Sequence, residues 1–309
     1  MNFKIKEKPY YTVNDFYQET FHSKVFKISL NGNFTCPNRD GTISYKGCLY
    51  CSEKGSGEFT GDLNFSLKDQ YQEMLSMMKR KWPIGKTIAY FQSFTNTYAP
   101  LDKLKRLFEE ALTLDKDLIG ISIATRPDCL PDDVIEYLSE LNQKTFLTVE
   151  LGLQTIHEKT SILINRGHSL QAFQDAVSKL RAHNIHVVCH IINGLPNETK
   201  EMMLDTIHFL NSLDIQGIKI HMLYLLKNTP LEDYYNLNPF PILSLKEYVD
   251  VVTNQIEQLR PDIIIYRLTG DALKSDLIEP KWSLKKFVVT NEIDKQLRIN
   301  KTYQGINYK

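Results

Sequence analysis

Short β-rich runs alternate with longer amphipathic stretches from about residue 24 to residue 260, and this rhythm limits the fold more than any other feature of the chain. The runs 24–30, 87–92, 118–123, 145–151, 186–192 and 217–224 are rich in Val, Ile, Phe or Tyr and contain no proline, which is strand composition. The stretches 66–81, 101–114, 131–142, 169–184, 199–213 and 244–259 read as helices. In the fourth of these, Ser169 is a candidate cap, and Leu170, Phe173, Ala176, Val177 and Leu180 recur at three- and four-residue steps. Pro131 followed by two aspartates opens another helix with favourable charge at its start. Successive βα units predict a parallel sheet, because each crossover helix packs back on the sheet with right-handed sense. Two closures satisfy the pattern: an open, doubly wound sheet, or a full or partial barrel.

Either closure gathers function at the C-terminal ends of the strands. Cys36, Cys48 and Cys51 follow the first strand, Gln92, Ser93 and Thr95 the second, and Thr125 and Arg126 the third. The fourth strand ends in Glu150, Gly152 and Gln154, and the fifth in Asn193 and Gly194. Polar residues therefore collect where the topology puts chemistry.

The 309 residues carry 37 Lys+Arg against 37 Asp+Glu, so no whole-molecule field advertises nucleic acid or an anionic membrane. Apolar runs such as 185–192 are far shorter than the roughly 18 residues that span a bilayer. The first ten residues alternate Lys with apolar side chains and form no export leader, so a cytoplasmic home without membrane partners is expected. The segment 281–309 holds seven Lys+Arg against Glu292 and Asp294, a local basic surplus.

Five cysteines without a leader favour metal or redox chemistry over a disulfide framework. Cys48 and Cys51, two residues apart, can grip one centre, with Cys36 joining from upstream. Structural zinc wants a fourth donor, such as His22, whereas a 4Fe-4S cluster on three thiolates keeps one iron open for a ligand. Cys129 and Cys189 stand alone and read as buried, inert thiols.

A three-cysteine loop after the first strand, with Tyr50 just before the last cysteine, resembles the radical S-adenosylmethionine (SAM) superfamily. Its long first gap resembles the elongator-like branch. The segments Ile121-Ser122-Ile123-Ala124-Thr125-Arg126-Pro127, Val149-Glu150-Leu151-Gly152-Leu153-Gln154, Asn165-Arg166-Gly167-His168-Ser169, Gly194-Leu195-Pro196-Asn197-Glu198 and Tyr266-Arg267-Leu268-Thr269-Gly270-Asp271 extend the likeness, end to end, to radical SAM proteins of the YhcC/YtqA type. The Gly-Gly-Glu segment of many members is absent, replaced by Phe91-Gln92-Ser93-Phe94-Thr95.

The resemblance implies an α/β fold: a partial (β/α)6 TIM-like barrel over 1–260, with a small C-terminal extension, 261–309, packing on that core. It implies two cofactors, a 4Fe-4S cluster held by Cys36, Cys48 and Cys51, and SAM. Reduction of the cluster cleaves SAM to a 5′-deoxyadenosyl radical. Gln154 matches a position that contacts the ribose or methionine part of SAM. Arg126 and Arg166 are candidate clamps for its carboxylate, with pairing to Glu150 as the alternative. Tyr50 is expected near the adenine, and Gln92, Ser93, Glu150 and Asn193 complete the expected cofactor contacts. His168, His190 and His221 are given no role. Elongator-like relatives act on the wobble uridine, which implies tRNA as partner, remodelling of a carboxymethylaminomethyl substituent towards aminomethyl, and an electron donor such as flavodoxin or ferredoxin. Phosphate and base contacts are expected from Trp282, Lys285, Lys286, Phe287, Arg298 and Tyr303. Radical chemistry on a small metabolite or tetrapyrrole, and a zinc-stabilised RNA-binding or scaffold protein, are the alternatives.

Overall fold

The computed structural model describes residues 8–309. The reading of the first ten residues thus falls mainly outside the described residues. The strands are β1 Val25–Leu30, β2 Lys86–Phe91, β3 Leu118–Thr125, β4 Phe146–Gln154, β5 His186–Asn193, β6 Gly217–Met222, β7 Leu225–Leu226, β8 Ile264–Arg267 and β9 Leu277–Glu279. The helices are α1 Val13–Phe21, α2 Leu67–Lys81, α3 Leu101–Leu112, α4 Asp132–Lys144, α5 Glu158–Leu163, α6 Leu170–Ala182, α7 Lys200–Asn211, α8 Pro230–Leu237, α9 Leu245–Gln258 and α10 Lys286–Asn300. Caps follow the chemistry expected of them. Ser169 Oγ accepts from the Ala172 amide at 3.1 Å, and Ser66 Oγ does the same for Asp69.

All strands of the main sheet run parallel, in the order β1-β2-β3-β4-β5-β6-β8. The expected six strands gain a seventh, because β8 lies beyond residue 260 yet pairs in register with β6. The short β7 and β9 form a separate antiparallel pair. No helix among the described residues is long and apolar enough to cross a membrane.

Side-chain geometry shows that the sheet is curled. On a flat sheet β1 and β8 would stand six strand spacings apart, roughly 29 Å at ~4.8 Å per spacing. Lys27 Nζ on β1 instead lies 5.2 Å from the ring of Tyr266 on β8, and Lys219 Nζ on β6 lies 3.1 Å from Tyr90 Oη on β2. The sheet is a half-barrel.

Curling gives the two faces different duties. In β1 the buried Phe26, Ile28 and Leu30 alternate with Lys27 and Ser29. Of the first set, Ile28 and Leu30 pack in one core with Ile121, Ile123, Leu147 and Val149, while Phe26 stacks on Trp82 at the end of α2, each apolar side chain contributing about 1.5–3 kcal/mol by leaving water. The second set faces the hollow. Helix α10 packs on α9 through Val289, Ile293 and Leu297. Gln304 then ties the C-terminal segment to the core: it accepts from the Tyr11 amide at 2.8 Å and donates to the carbonyls of Arg260 and Ile263.

Candidate active site

A cavity of about 930 Å³ occupies the hollow of the half-barrel. Its upper wall carries Cys36, Cys48, Cys51, Tyr50, Gln92, Arg126, Gln154 and Arg166. Its lower wall carries Lys27, Tyr90, Glu150, His190, Lys219, His221 and Arg267. Of the candidate site residues, Ser93 and Asn193 do not line it. Ser93 Oγ donates to Thr60 Oγ1 at 3.1 Å, and the buried Asn193 amide exchanges hydrogen bonds with Gln255 at 2.8 and 2.9 Å.

The cysteine loop is held from across the barrel by the turn after α5. Asn165 Nδ2 donates to the carbonyl of Gly47 at 2.6 Å, while Asn38 Nδ2 donates to the carbonyl of Asn165 at 2.5 Å. The amide of Leu49 donates to the Ile164 carbonyl at 2.9 Å. Gly167 takes φ +79°, and a Cβ there would stand 3.0 Å from Asn38 Oδ1. Only glycine meets both demands without strain.

Arg166 completes this clamp. Its guanidinium donates to the carbonyls of Leu153, Thr155 and His168, and Arg126 holds Asp128 through two hydrogen bonds of 2.9 and 2.8 Å and donates to the Arg166 carbonyl. Neither arginine pairs with Glu150. Both stand on the cavity wall with their main hydrogen bonds made to the protein.

Cys36, Cys48 and Cys51 are all half-buried, free thiols on one wall. Burial, with Cys51 beside it, pushes the Cys48 thiol up to about 11, and burial also raises Cys51. Arg126 acts against the first shift and Arg39 against the second. Asn38 Nδ2 points at Cys48 Sγ at 3.5 Å, while Asn38 Oδ1 is buried without a partner among the described residues. Among the described residues, no group of three or more His, Cys, Asp or Glu side chains could hold a metal ion as they stand. A four-iron cluster spreads its thiolates more widely than one ion does, and an all-thiol donor set flanked by arginines suits it. The residues fit the cluster.

Gln154 ends β4 with φ +66°, an uncommon conformation for a residue with a side chain. Its amide lies where a side chain at position 152 would be: a Cβ on Gly152 would stand 2.6 Å from Gln154 Nε2. That amide has no hydrogen-bond partner among the described residues and faces the cavity. Tyr50 directs its hydroxyl at Cys48 and packs its ring against the apolar group of Ile164, Leu195 and Leu223.

The lower wall is a charged network centred on Glu150, which is fully buried. Tyr90 Oη donates to its Oε2 at 2.9 Å, Ser122 Oγ to its Oε1 at 2.9 Å, and His190 Nε2 lies 2.7 Å from Oε2. Lys27 contacts Oε1 and Lys219 contacts Oε2. Burial pushes His190 down to about 4, so the neutral ring donates through Nε2–H. His168, His190 and His221, for which no role is expected from sequence, all stand on the cavity wall. The signal was present in the alternation of β5 and β6, where His190, Lys219 and His221 interrupt apolar runs, but only a curled sheet turns those positions towards a hollow.

The fold and this cavity define a radical SAM protein. The family model described as the radical SAM superfamily matches residues 36–210, and that of the Radical_SAM C-terminal domain matches residues 215–299. The chain belongs to the radical SAM superfamily and is a radical SAM enzyme. Within it, the chain is 50% identical over 299 residues to "Uncharacterized protein YtqA" of Bacillus subtilis, covering 97% of this chain and 92% of that protein. It is 30% identical over 278 residues to "Protein YhcC" of Escherichia coli, covering 90% and 88%. The archaeal Methanocaldococcus infernus Elp3 shares the fold with a TM-score of 0.68 at 16% identity, over 89% of this chain and 63% of that one.

Proposed function

We propose that this chain is a cytoplasmic radical SAM enzyme that remodels the 5-substituent of the wobble uridine in tRNA, taking a carboxymethylaminomethyl group towards aminomethyl. The observation that carries the reading is the meeting of three thiols and the unpartnered Gln154 amide on one wall of a single cavity. Cys36, Cys48 and Cys51 hold a 4Fe-4S cluster. When bound, the cluster and SAM supply a hydrogen-abstracting 5′-deoxyadenosyl radical. The chain itself positions the reactants and excludes water. Gln154 reaches the ribose or methionine part of SAM, and Arg126 and Arg166 fix the wall against which SAM lies. Tyr50 seals the space behind Cys48 against the apolar group. An electron donor such as flavodoxin or ferredoxin supplies the reducing electron.

The elongator-like likeness supports the wobble uridine as target. So does an exposed face that joins two basic segments, since Lys81 Nζ at the end of α2 lies 5.8 Å from the ring of Phe287 on α10. The test is mass spectrometry of nucleosides in tRNA from wild-type and deletion cells. Accumulation of carboxymethylaminomethyluridine with loss of its aminomethyl products is the expected result. Identical nucleoside profiles would reject the reading.

A further inference from the structure

The lower wall holds more positive charge than its own carboxylates balance. Lys27 and Lys219 share the one carboxylate of Glu150, and Arg267 and Lys286 share the one carboxylate of Asp271. Lys286 reaches Asp271 from outside the cavity, so the wall itself sets three cations, Lys27, Lys219 and Arg267, against the two carboxylates. Lys219 lies in register with His190 on one side and Arg267 on the other, so the two sets meet on adjacent strands. His221, two residues along β6 from Lys219, also lines the hollow, and its buried Nε2 has no hydrogen-bond partner among the described residues.

Gly152 pairs with His190, His190 with Lys219 and Lys219 with Arg267, so the cations of β6 and β8 stand two residues, roughly 7 Å of strand, below Gln154. A slender substituent on a base can reach that level from the cofactor end.

We propose that Lys27, Lys219, His221 and Arg267 form a recognition site for a substrate carboxylate. It rests on the reading above, in which the carboxymethylaminomethyl group ends in such a carboxylate and enters the hollow end first. Two ammonium groups and a guanidinium meet the anion with charge-assisted hydrogen bonds, and the His221 ring supplies one more polar contact. The groups facing Lys219 are Lys27, Tyr90, Glu150, His190, His221 and Arg267. Burial, with Lys27 and Arg267 nearby, pushes Lys219 down to about 7 despite Glu150. An entering carboxylate offsets that cost and draws a proton onto Lys219.

The site is tested by calorimetry on the full-length, cluster-loaded protein. The probes are 5-carboxymethylaminomethyluridine, its methyl ester, N-benzylglycine, the methyl ester of that acid, and inorganic phosphate. Each acid should bind about tenfold or more tighter than its neutral ester, as expected for hydrogen bonds to a charged group. Lys219→Met leaves Glu150 with Lys27, and Arg267→Met leaves Asp271 with Lys286, so neither variant strands a carboxylate. Both should erase the preference for the acid while keeping the wild-type melting temperature, and Lys219→Arg should restore it. Equal binding of the uridine acid and its ester overturns the site and leaves the tRNA reading standing. Binding of N-benzylglycine alone, with the same Lys219 dependence, supports the site and overturns the tRNA reading. Phosphate binding as tightly as either acid, or no carboxylate binding at all, also overturns the site.

Discussion

Lys27 and Lys219 stand on β1 and β6, with four strands between them, yet their ammonium groups close on the two oxygens of the same carboxylate, that of Glu150. The contact records the curvature of the sheet in one side chain. It also makes Glu150 the common anchor of β1 to β6 through Lys27, Tyr90, Ser122, His190 and Lys219.

Deleting that carboxylate leaves two buried cations facing each other. Glu150→Gln is expected to lower stability by about 3 kcal/mol at neutral pH, since removing one partner of a buried pair typically costs ~3–5 kcal/mol. The ready deprotonation of Lys219, already pushed to about 7, keeps the loss at the low end. Adding Lys219→Met removes one stranded charge and should recover part of the loss in urea unfolding. A double variant no more stable than Glu150→Gln would show that the two groups do not act together.

Acid should weaken the fold in two stages. Burial holds His190 at about 4, below its ordinary value of 6.5, so between those values the unfolded chain binds a proton that the folded chain refuses. Stability then falls as pH drops from about 6.5 towards 4. Burial works against the Glu150 carboxylate, but Lys219, Lys27 and His190 outweigh it and hold the group well below its usual range. Its contribution is present above about pH 4.5 and is lost as pH falls further. His190→Gln should therefore flatten the decline in urea midpoint between pH 7 and 5, and an unchanged slope would assign the acid sensitivity elsewhere.

The βα rhythm was legible because each strand and helix declares its own periodicity. The thiol loop was legible because its spacing is chemical. The run 263–268 is strand-like in composition, but the chain did not declare that it joins the sheet as a seventh member, since so short a run does not distinguish a sheet member from an isolated edge. Nor did it declare the lower wall. Lys27, His190 and Lys219 each interrupt an apolar run singly, which reads as an ordinary concession within a strand. Their meeting depends on register and curvature between strands far apart in sequence. Arg126 and Arg166 suited a ligand carboxylate or a pairing with Glu150, and their bonds to Asp128 and to the carbonyls of Leu153 and Thr155 take the place of the second, because those partners sit in loops that no local pattern declares.

Loss of any of Cys36, Cys48 or Cys51 should abolish bound iron, because three thiolates are the fewest that hold the cluster and leave one iron open. Cys189→Ser should retain it, since that side chain is buried in the apolar core, and Cys129→Ser should retain it too, although the buried Cys129 thiol lies beside Arg126, Asp128 and Cys36. Iron and sulfide analysis after anaerobic reconstitution reads both outcomes. Full iron content in any one of the three alanine variants would remove that cysteine from the ligand set.

The turn after α5 should control cluster retention without touching iron. Asn165→Ala removes the bond to the Gly47 carbonyl and leaves that carbonyl unpaired, a loss of about 1–2 kcal/mol. Gly167→Ala adds strain at φ +79° and crowds Asn38. Both variants should reconstitute fully and then release iron to a chelator several times faster than wild type. Release at the wild-type rate would show that the loop holds its shape alone.

Recognition of RNA depends on local charge, because the net charge is zero. The structure redistributes the expected basic tail. Lys286 is paired with Asp271 and Trp282 donates to the Leu243 carbonyl, whereas Lys281, Lys285 and Phe287 are exposed. The exposed Lys79, Arg80 and Lys81 at the end of α2 adjoin them through the contact of Lys81 with Phe287. Phosphate contacts should therefore come from both segments, with Phe287 available to stack on a base. Each contact contributes about 0.7–0.9 to the slope of log affinity against log salt. Replacing Lys79, Arg80, Lys81, Lys281 and Lys285 together with Ala should weaken tRNA binding and flatten that slope by several units, while replacing only Lys281 and Lys285 should give a smaller change in both. If the five-residue variant keeps the wild-type slope, this face is a solvated surface, and the RNA must dock elsewhere around the cavity mouth.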